Sequence, residues 1–108
     1  MAVSGHKRGD TFDRSGVINV TQNGLAVIDL TGWTAISQMR GARDALIVQF
    51  EFTWLNAAAR LARIRAPDGT NNWPIGQASI DIQLTSPSGV IVSTDTALIN
   101  VVADVSRV

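Results

Sequence analysis

An unbroken alternation of apolar and polar side chains over residues 78–85 is the feature that most constrains the fold of this chain. Its apolar members are Ala78, Ile80, Ile82 and Leu84, and every residue between them is polar. Successive side chains on a β-strand point to opposite faces, so this period of two is typical of a strand. The segment therefore predicts a strand with one face on a core and the other in water.

The residues that follow this segment predict a tight turn. In Ser86-Pro87-Ser88-Gly89 the proline fixes its own φ angle, and the glycine tolerates positive φ. Residues 90–93 then resume an extended, mostly apolar pattern. We expect these two segments to form a β-hairpin.

Residues 46–54 show a second alternation. Its apolar face would hold Leu46, Val48, Phe50, Phe52 and Trp54, with Ile47 as the exception on the polar face. Weaker extended segments are residues 11–19, 25–30, 33–40 and 97–106. About seven or eight short strands separated by turn signals predict an all-β fold, an immunoglobulin-like antiparallel β-sandwich.

Residues 55–66 admit two interpretations. Alanine, leucine and arginine dominate this segment, and all three are strong helix formers. Against a helix, Ala62, Ile64 and Ala66 alternate with residues of the other face, and an antiparallel sandwich needs a strand after Trp54. The pattern favours a turn at residues 55–58 followed by a strand, and a helix stays open as the alternative.

Length and charge restrict the classes of protein to which the chain can belong. A chain of 108 residues fits one domain, residues 1–108, in which we expect residues 1–7 to be a mobile tail. Nine basic and nine acidic residues give a formal net charge of zero, so we expect neither nucleic acid nor a membrane surface as a partner. The sequence contains no apolar run typical of a signal peptide or a membrane span.

The chain offers few groups that could carry out chemistry. It has no cysteine, and its one histidine, His6, lies in the expected tail, which leaves neither a histidine-centred triad nor a histidine cluster for a metal ion. Residues 68–72 contain oxygen ligands without the spacing of a calcium loop. We therefore predict that the protein is not an enzyme and has no catalytic residue, cofactor or metal site.

Six residues are candidates for contacts with another molecule. They are Arg8, Asp10, Arg40, Arg63, Arg65 and Trp73. Arg63 and Arg65 are two residues apart and would form a basic stripe on one strand face, although a solvated sheet face is the simpler interpretation. Arg8-Gly9-Asp10 spells a tripeptide that integrins read, but its position near the N-terminus is better explained as the point where the chain enters the fold.

Several motifs together resemble the immunoglobulin-like N-terminal domain of phage baseplate upper proteins and related small phage tail proteins. The motifs are Lys7-Arg8-Gly9-Asp10-Thr11-Phe12, Asp29-Leu30-Thr31-Gly32-Trp33 followed by Gln38-Met39-Arg40, Thr70 to Trp73-Pro74-Ile75-Gly76 with Asp81-Ile82, and Val101 to Arg107. The resemblance implies a structural protein of a phage or prophage tail or baseplate that acts through protein–protein contacts. Its partners would be other tail or baseplate subunits and further copies of itself, in the virion and in the host bacterial cytoplasm during assembly.

Two departures from that pattern shape the expectation. Gln77-Ala78 stands where relatives tend to have an aromatic residue, and the chain ends at Val108, which leaves no room for a receptor-binding region. The resemblance therefore implies an adaptor or decoration subunit. The alternative is a carbohydrate-binding module for host-surface glycans, which predicts that at least one of Trp33, Trp54 and Trp73 is exposed.

Overall fold

Two facing β-sheets make up the architecture in the computed structural model, which describes residues 3–94 and 96–103. Eleven strands occur in these ranges. They are β1 (Val3–Lys7), β2 (Asp13–Val17), β3 (Thr21–Gln22), β4 (Leu25–Ala26), β5 (Thr34–Arg40), β6 (Leu46–Gln49), β7 (Glu51–Asn56), β8 (Leu61–Arg65), β9 (Gly76–Thr85), β10 (Ile91–Ser93) and β11 (Ala97–Val102). Two short 3-10 turns, Ala42–Asp44 and Ala57–Ala59, lie between strands.

The two sheets differ in width. The six-stranded sheet has the order β1-β11-β9-β5-β6, with β10 beside the second half of β9, and the three-stranded sheet has the order β2-β8-β7. Strands β3 and β4 form a separate small hairpin. Neighbouring strands are antiparallel except for β1 and β11, which are parallel.

The core between the sheets consists of two clusters. The first contains the aromatic rings of Phe12, Phe50 and Trp73, with centroids 5.0 Å apart for the two phenylalanines and 5.5 Å apart for Phe12 and Trp73. The second contains Leu30 and Leu84, with further buried residues around them. Burial of these side chains supplies most of the driving force for the fold.

This architecture confirms the predicted all-β, immunoglobulin-like β-sandwich, although the described residues form eleven strands and not the expected seven or eight. The best-defined strand prediction is also confirmed, since β9 spans the alternating segment and β10 pairs with it as a hairpin. In the turn between them, the Ser86 N–H donates to the Val90 carbonyl at 2.8 Å, and Gly89 has a φ of 91°.

The prediction of one strand over residues 46–54 is wrong. This segment forms two strands, β6 in the six-stranded sheet and β7 in the three-stranded sheet, and the chain crosses between the sheets at Phe50. The Phe50 ring is buried and its N–H donates to the Ser37 carbonyl at 2.9 Å, which fixes the crossing point. Leu46, expected to face the core, is 51% exposed because β6 is the edge strand of its sheet.

The favoured interpretation of residues 55–66 is confirmed in substance. Strand β7 continues to Asn56, and the turn lies at Ala57–Ala59, where it begins two residues and ends one residue later than predicted. The Asn56 side chain accepts a hydrogen bond from the Ala59 N–H at 3.2 Å. Arg60 then adopts a left-handed conformation with a φ of 62°, and β8 follows as the expected strand.

The expectation of a mobile tail at residues 1–7 is wrong for residues 3–7. These residues form β1, which pairs in parallel with β11 and brings the imidazole of His6 into the core. That ring lies 5.4 Å from the Phe12 ring and 5.1 Å from the Trp73 ring, so packing holds the segment in place. Residues 1–2 of the expected tail, and residues 104–106 of the last predicted strand, lie outside the described residues.

Candidate functional site: an open side of the sandwich

The difference in width between the sheets leaves one side of the sandwich open beside β2. Among the described strands β2 pairs with β8 alone, so its outer edge has no neighbour. Across from this edge lie β9, the start of β11 and Thr94, which follows β10. We call the space between them the side groove. Its lining residues are Phe12, Arg14, Ile64, Ile80, Asp81, Ile82, Thr94 and Ala97.

The side groove exposes apolar groups that face the interior of the sandwich. Three adjoining hollows of about 220, 270 and 230 Å³ open there, and Ile82 lines all three. Ile80 and Ile82 remain half-buried although they lie on the core face of β9. On the opposite wall β2 contributes Gly16, which has no side chain to cover them.

Along the groove, the backbone of β2 has hydrogen-bonding groups that no described strand pairs. At the two ends of β2, the backbone bonds to residues that flank β8. The Phe12 carbonyl accepts from the Ala66 N–H at 3.0 Å, and the Ile18 N–H donates to the Arg60 carbonyl at 2.9 Å. In an antiparallel ladder, every second residue points its backbone groups to the same neighbour. The backbone groups directed away from β8, to the free edge, therefore belong to Asp13, Ser15 and Val17.

Arg14 places a positive charge at the mouth of the side groove. Its guanidinium carbon lies 4.9 Å from the centroid of the Phe12 ring, within the range of a cation–π contact. Within residues 3–94 and 96–103 it forms no ion pair. Among the described residues, the groove thus combines apolar walls, a strand edge without a neighbour and one cation without an ion-pair partner.

The predicted basic stripe on β8 is present but neutralised. On the outer face of the three-stranded sheet, Arg63 forms a forked ion pair with Asp13, with Nε to Oδ1 at 2.8 Å. Arg65 pairs with Glu51 at 3.0 Å. The hydrogen bond from Arg63 lowers the pKa of the Asp13 carboxyl below its usual range. These pairs tie β2 and β7 to β8 and leave no excess positive charge there.

The other predicted contact residues do not join the side groove. Arg40 lies on the outer face of the six-stranded sheet, and Trp73 is buried in the core. Arg8 and Asp10 lie in the turn after β1, where the Thr70 hydroxyl accepts from the Gly9 N–H and donates to the Asp10 carbonyl, both at 2.8 Å. The six candidates therefore lie in four separate places.

Sequence reasoning missed the side groove. Its one visible signal is Ser15-Gly16 in the middle of a weak strand, where small residues leave a gap in the wall. In the described part of the chain, no group of three or more histidine, cysteine, aspartate or glutamate residues is placed to hold a metal ion. None of the described helices has the length and apolar character needed to cross a bilayer.

Comparisons with known proteins give one result that bears on the fold. No family model matches the sequence, and no curated protein matches it. Among solved structures, CopC from Methylosinus trichosporium OB3b is similar with a TM-score of 0.57 and 12% sequence identity, over 100% of this chain and 91% of that chain. At this identity the likeness supports the β-sandwich fold alone.

These observations correct the functional expectations. The expected role as a phage tail or baseplate structural protein is contradicted: no family model and no curated protein of that kind matches, and a solved structure that shares the fold over the whole chain is CopC, not a tail or baseplate protein. The carbohydrate-binding alternative required an exposed tryptophan. Trp33 and Trp73 are buried, and Trp54 is half-buried with its indole N–H donating to the Trp33 carbonyl at 2.9 Å. That alternative is therefore wrong as well.

Proposed function

We propose that the protein is a peptide-binding module that captures an extended segment of another protein as an added strand beside β2. The observation that carries this proposal is the free edge of β2 directly beside the half-buried Ile80 and Ile82. An unpaired edge is a template for strand addition, in which main-chain hydrogen bonds supply affinity and alternate side chains supply specificity.

The shape of the side groove selects the residues of the captured segment. Alternate side chains of an added strand would point into the groove, toward Ile64, Ile80 and Ile82. Burial of a valine or leucine side chain contributes about 1.5–3 kcal/mol. The favoured segment therefore has medium-sized apolar residues at alternate positions.

Arg14 adds a charge requirement. A charged side chain directed toward the groove disfavours the addition of a wholly apolar strand, which protects the edge from indiscriminate pairing. A glutamate or aspartate in the captured segment would pair with the available guanidinium of Arg14. The partner chemistry is thus an extended apolar segment that carries one acidic residue.

A selection from a random peptide library displayed on ribosomes, with the whole protein as bait, tests the proposal. We expect enrichment of peptides that alternate apolar and polar residues and contain an acidic residue. Binding of an enriched peptide is then measured by titration calorimetry. Failure to enrich any peptide family, or enrichment of basic peptides, would contradict the proposal.

Two variants locate the bound peptide. Ser15→Pro removes a backbone N–H that faces the free edge and leaves the ladder to β8 intact, so we expect affinity to fall by at least about tenfold. Ser15→Ala keeps the backbone and is the matched control, with unchanged affinity. Arg14→Glu should weaken binding of acidic peptides and favour basic ones. Wild-type affinity in a folded Ser15→Pro variant would place the peptide elsewhere.

A further inference from the structure

The outer face of the six-stranded sheet carries a second concave surface, on the side of the sheet that faces away from the side groove. It encloses about 480 Å³ and is lined mainly by polar residues of β5 and β9. We call it the polar trough and define it by Gln38, Arg40, Ser79, Asp81 and Gln83.

The register of the strands sets the geometry of the polar trough. Ser79, Asp81 and Gln83 alternate along β9 with residues of the core face, so they share the outer face. Asp81 lies directly across from Gln38, and Ser79 lies directly across from Arg40. The Asp81 carboxylate therefore occupies the middle of the trough floor, diagonal to Arg40.

The charges in the trough do not cancel. Arg40 is already engaged, since its guanidinium donates to the Asp44 carbonyl at 2.9 Å and to Gln38 Oε1 at 3.0 Å, and it lies 3.9 Å from the Asp44 carboxylate. The side chain of Asp81 makes no hydrogen bond or ion pair within the described ranges, and the Ser37 hydroxyl donates to the Asp81 backbone carbonyl at 3.0 Å. One negative charge is left over at the centre of a concave surface.

The residues around Asp81 can accept the remaining hydrogen bonds of an ammonium group bound to its carboxylate. Ser79 and Gln83 flank it along β9 and offer side-chain oxygens as hydrogen-bond acceptors. Ile36, directly across from Gln83 and 49% exposed, gives the trough an apolar wall. A hard metal ion would need several carboxylates, whereas an ammonium group needs one carboxylate and neutral acceptors.

We propose that the polar trough binds an alkylammonium group, with the nitrogen on the Asp81 carboxylate and the alkyl chain against Ile36. Such a group occurs in free diamines and in lysine side chains of proteins, and both present the same chemistry to the trough. Asp81 lines both the trough and one hollow of the side groove, but the trough lies on the outer face of β9, so amine binding there does not require peptide capture beside β2.

Amide chemical shifts of the labelled whole protein, measured at physiological salt, test this proposal. The probes are putrescine for a free diamine, Nα-acetyl-lysine methylamide with its free side-chain ammonium for a protein side chain, and the neutral diol of the same length as putrescine. We expect saturable shifts at residues 79–83 and in the side-chain amides of Gln38 and Gln83 with at least one amine, and none with the diol. Saturation with putrescine alone would indicate a free amine as the ligand, and saturation with the lysine derivative would indicate a protein side chain.

A variant pair decides whether Asp81 is responsible. Asp81→Asn should weaken amine binding by at least about tenfold, because the charge-assisted hydrogen bond is lost while the shape is kept. Asp68→Asn, which removes an exposed carboxylate from a distant loop, should leave binding unchanged. Equal shifts in Asp81→Asn, shifts that never saturate, or equal shifts with the diol would overturn the proposal.

Discussion

At the scale of single residues, the Thr70 hydroxyl holds two distant parts of the chain together. Thr70 is 1% exposed, and its Oγ1 accepts from the Gly9 N–H and donates to the Asp10 carbonyl. His6 Nε2 lies 3.4 Å from the same oxygen. One buried hydroxyl thereby satisfies the backbone of the turn after β1.

Replacement of this hydroxyl tests its contribution. Thr70→Val keeps the shape but leaves the Gly9 N–H and the Asp10 carbonyl without a partner, so we expect the free energy of unfolding to fall by about 1–3 kcal/mol. Urea unfolding measures the change. Thr53→Val, at an exposed strand position, is the control and should stay within about 0.5 kcal/mol of the wild type. A Thr70→Val variant as stable as this control would contradict the assignment.

His6 gives the fold a pH dependence of defined sign. Burial lowers the pKa of its imidazole, the nearby Arg14 charge acts in the same direction, and contacts with Asp10 oppose the shift. The unfolded chain therefore binds a proton at higher pH than the folded chain. The contribution of neutral His6 to the free energy of unfolding is fully present above the unfolded pKa of about 6.5. It is lost as the pH decreases toward the lower pKa of the folded state.

The variant His6→Gln isolates this effect. We expect the wild type to lose more free energy of unfolding than His6→Gln between neutral pH and mildly acidic pH, when both are measured by urea unfolding at matched salt. Asp13 and Asp29, whose pKa values are lowered by hydrogen bonds from Arg63 and Thr31, also lose their contribution on acidification, at lower pH. Identical pH profiles for the two proteins would show that His6 does not titrate differently on folding.

At the scale of secondary-structure elements, alternation in the sequence identifies strands but not the sheet that each strand joins. It predicted β9 and its hairpin with β10 because Pro87 and Gly89 mark the turn. It missed the crossing at Phe50, since β6 and β7 continue the same alternation and only tertiary pairing separates them. It also left out β1, whose short and partly polar sequence becomes a strand through pairing with β11.

The local sequence pattern also does not predict which residues of the candidate sites are exposed or paired. Ile80 and Ile82 were predicted as core residues, and they do face the interior. Their partial exposure depends on how far the opposite sheet extends, which no local pattern records. Likewise, the charges of Arg63 and Arg65 are visible in the sequence, whereas their pairing with Asp13 and Glu51 depends on strand register.

At the scale of the whole molecule, a six-stranded sheet packed on a three-stranded sheet leaves the sandwich unfinished on one side. The free edge of β2 and the apolar side groove lie together at that place, and an added strand would cover both at once. The arrangement therefore favours a function in which a partner segment completes the narrower sheet.

Hydrogen exchange of the β2 amides, with and without a peptide enriched by the selection, tests strand addition at this edge. In the free protein the N–H groups of Ser15 and Val17 face the open edge, so we expect them to exchange rapidly. When the peptide binds, they should become protected, because they donate to the added strand. Unchanged exchange at Ser15 and Val17, with protection at another edge such as β6, would contradict strand capture beside β2.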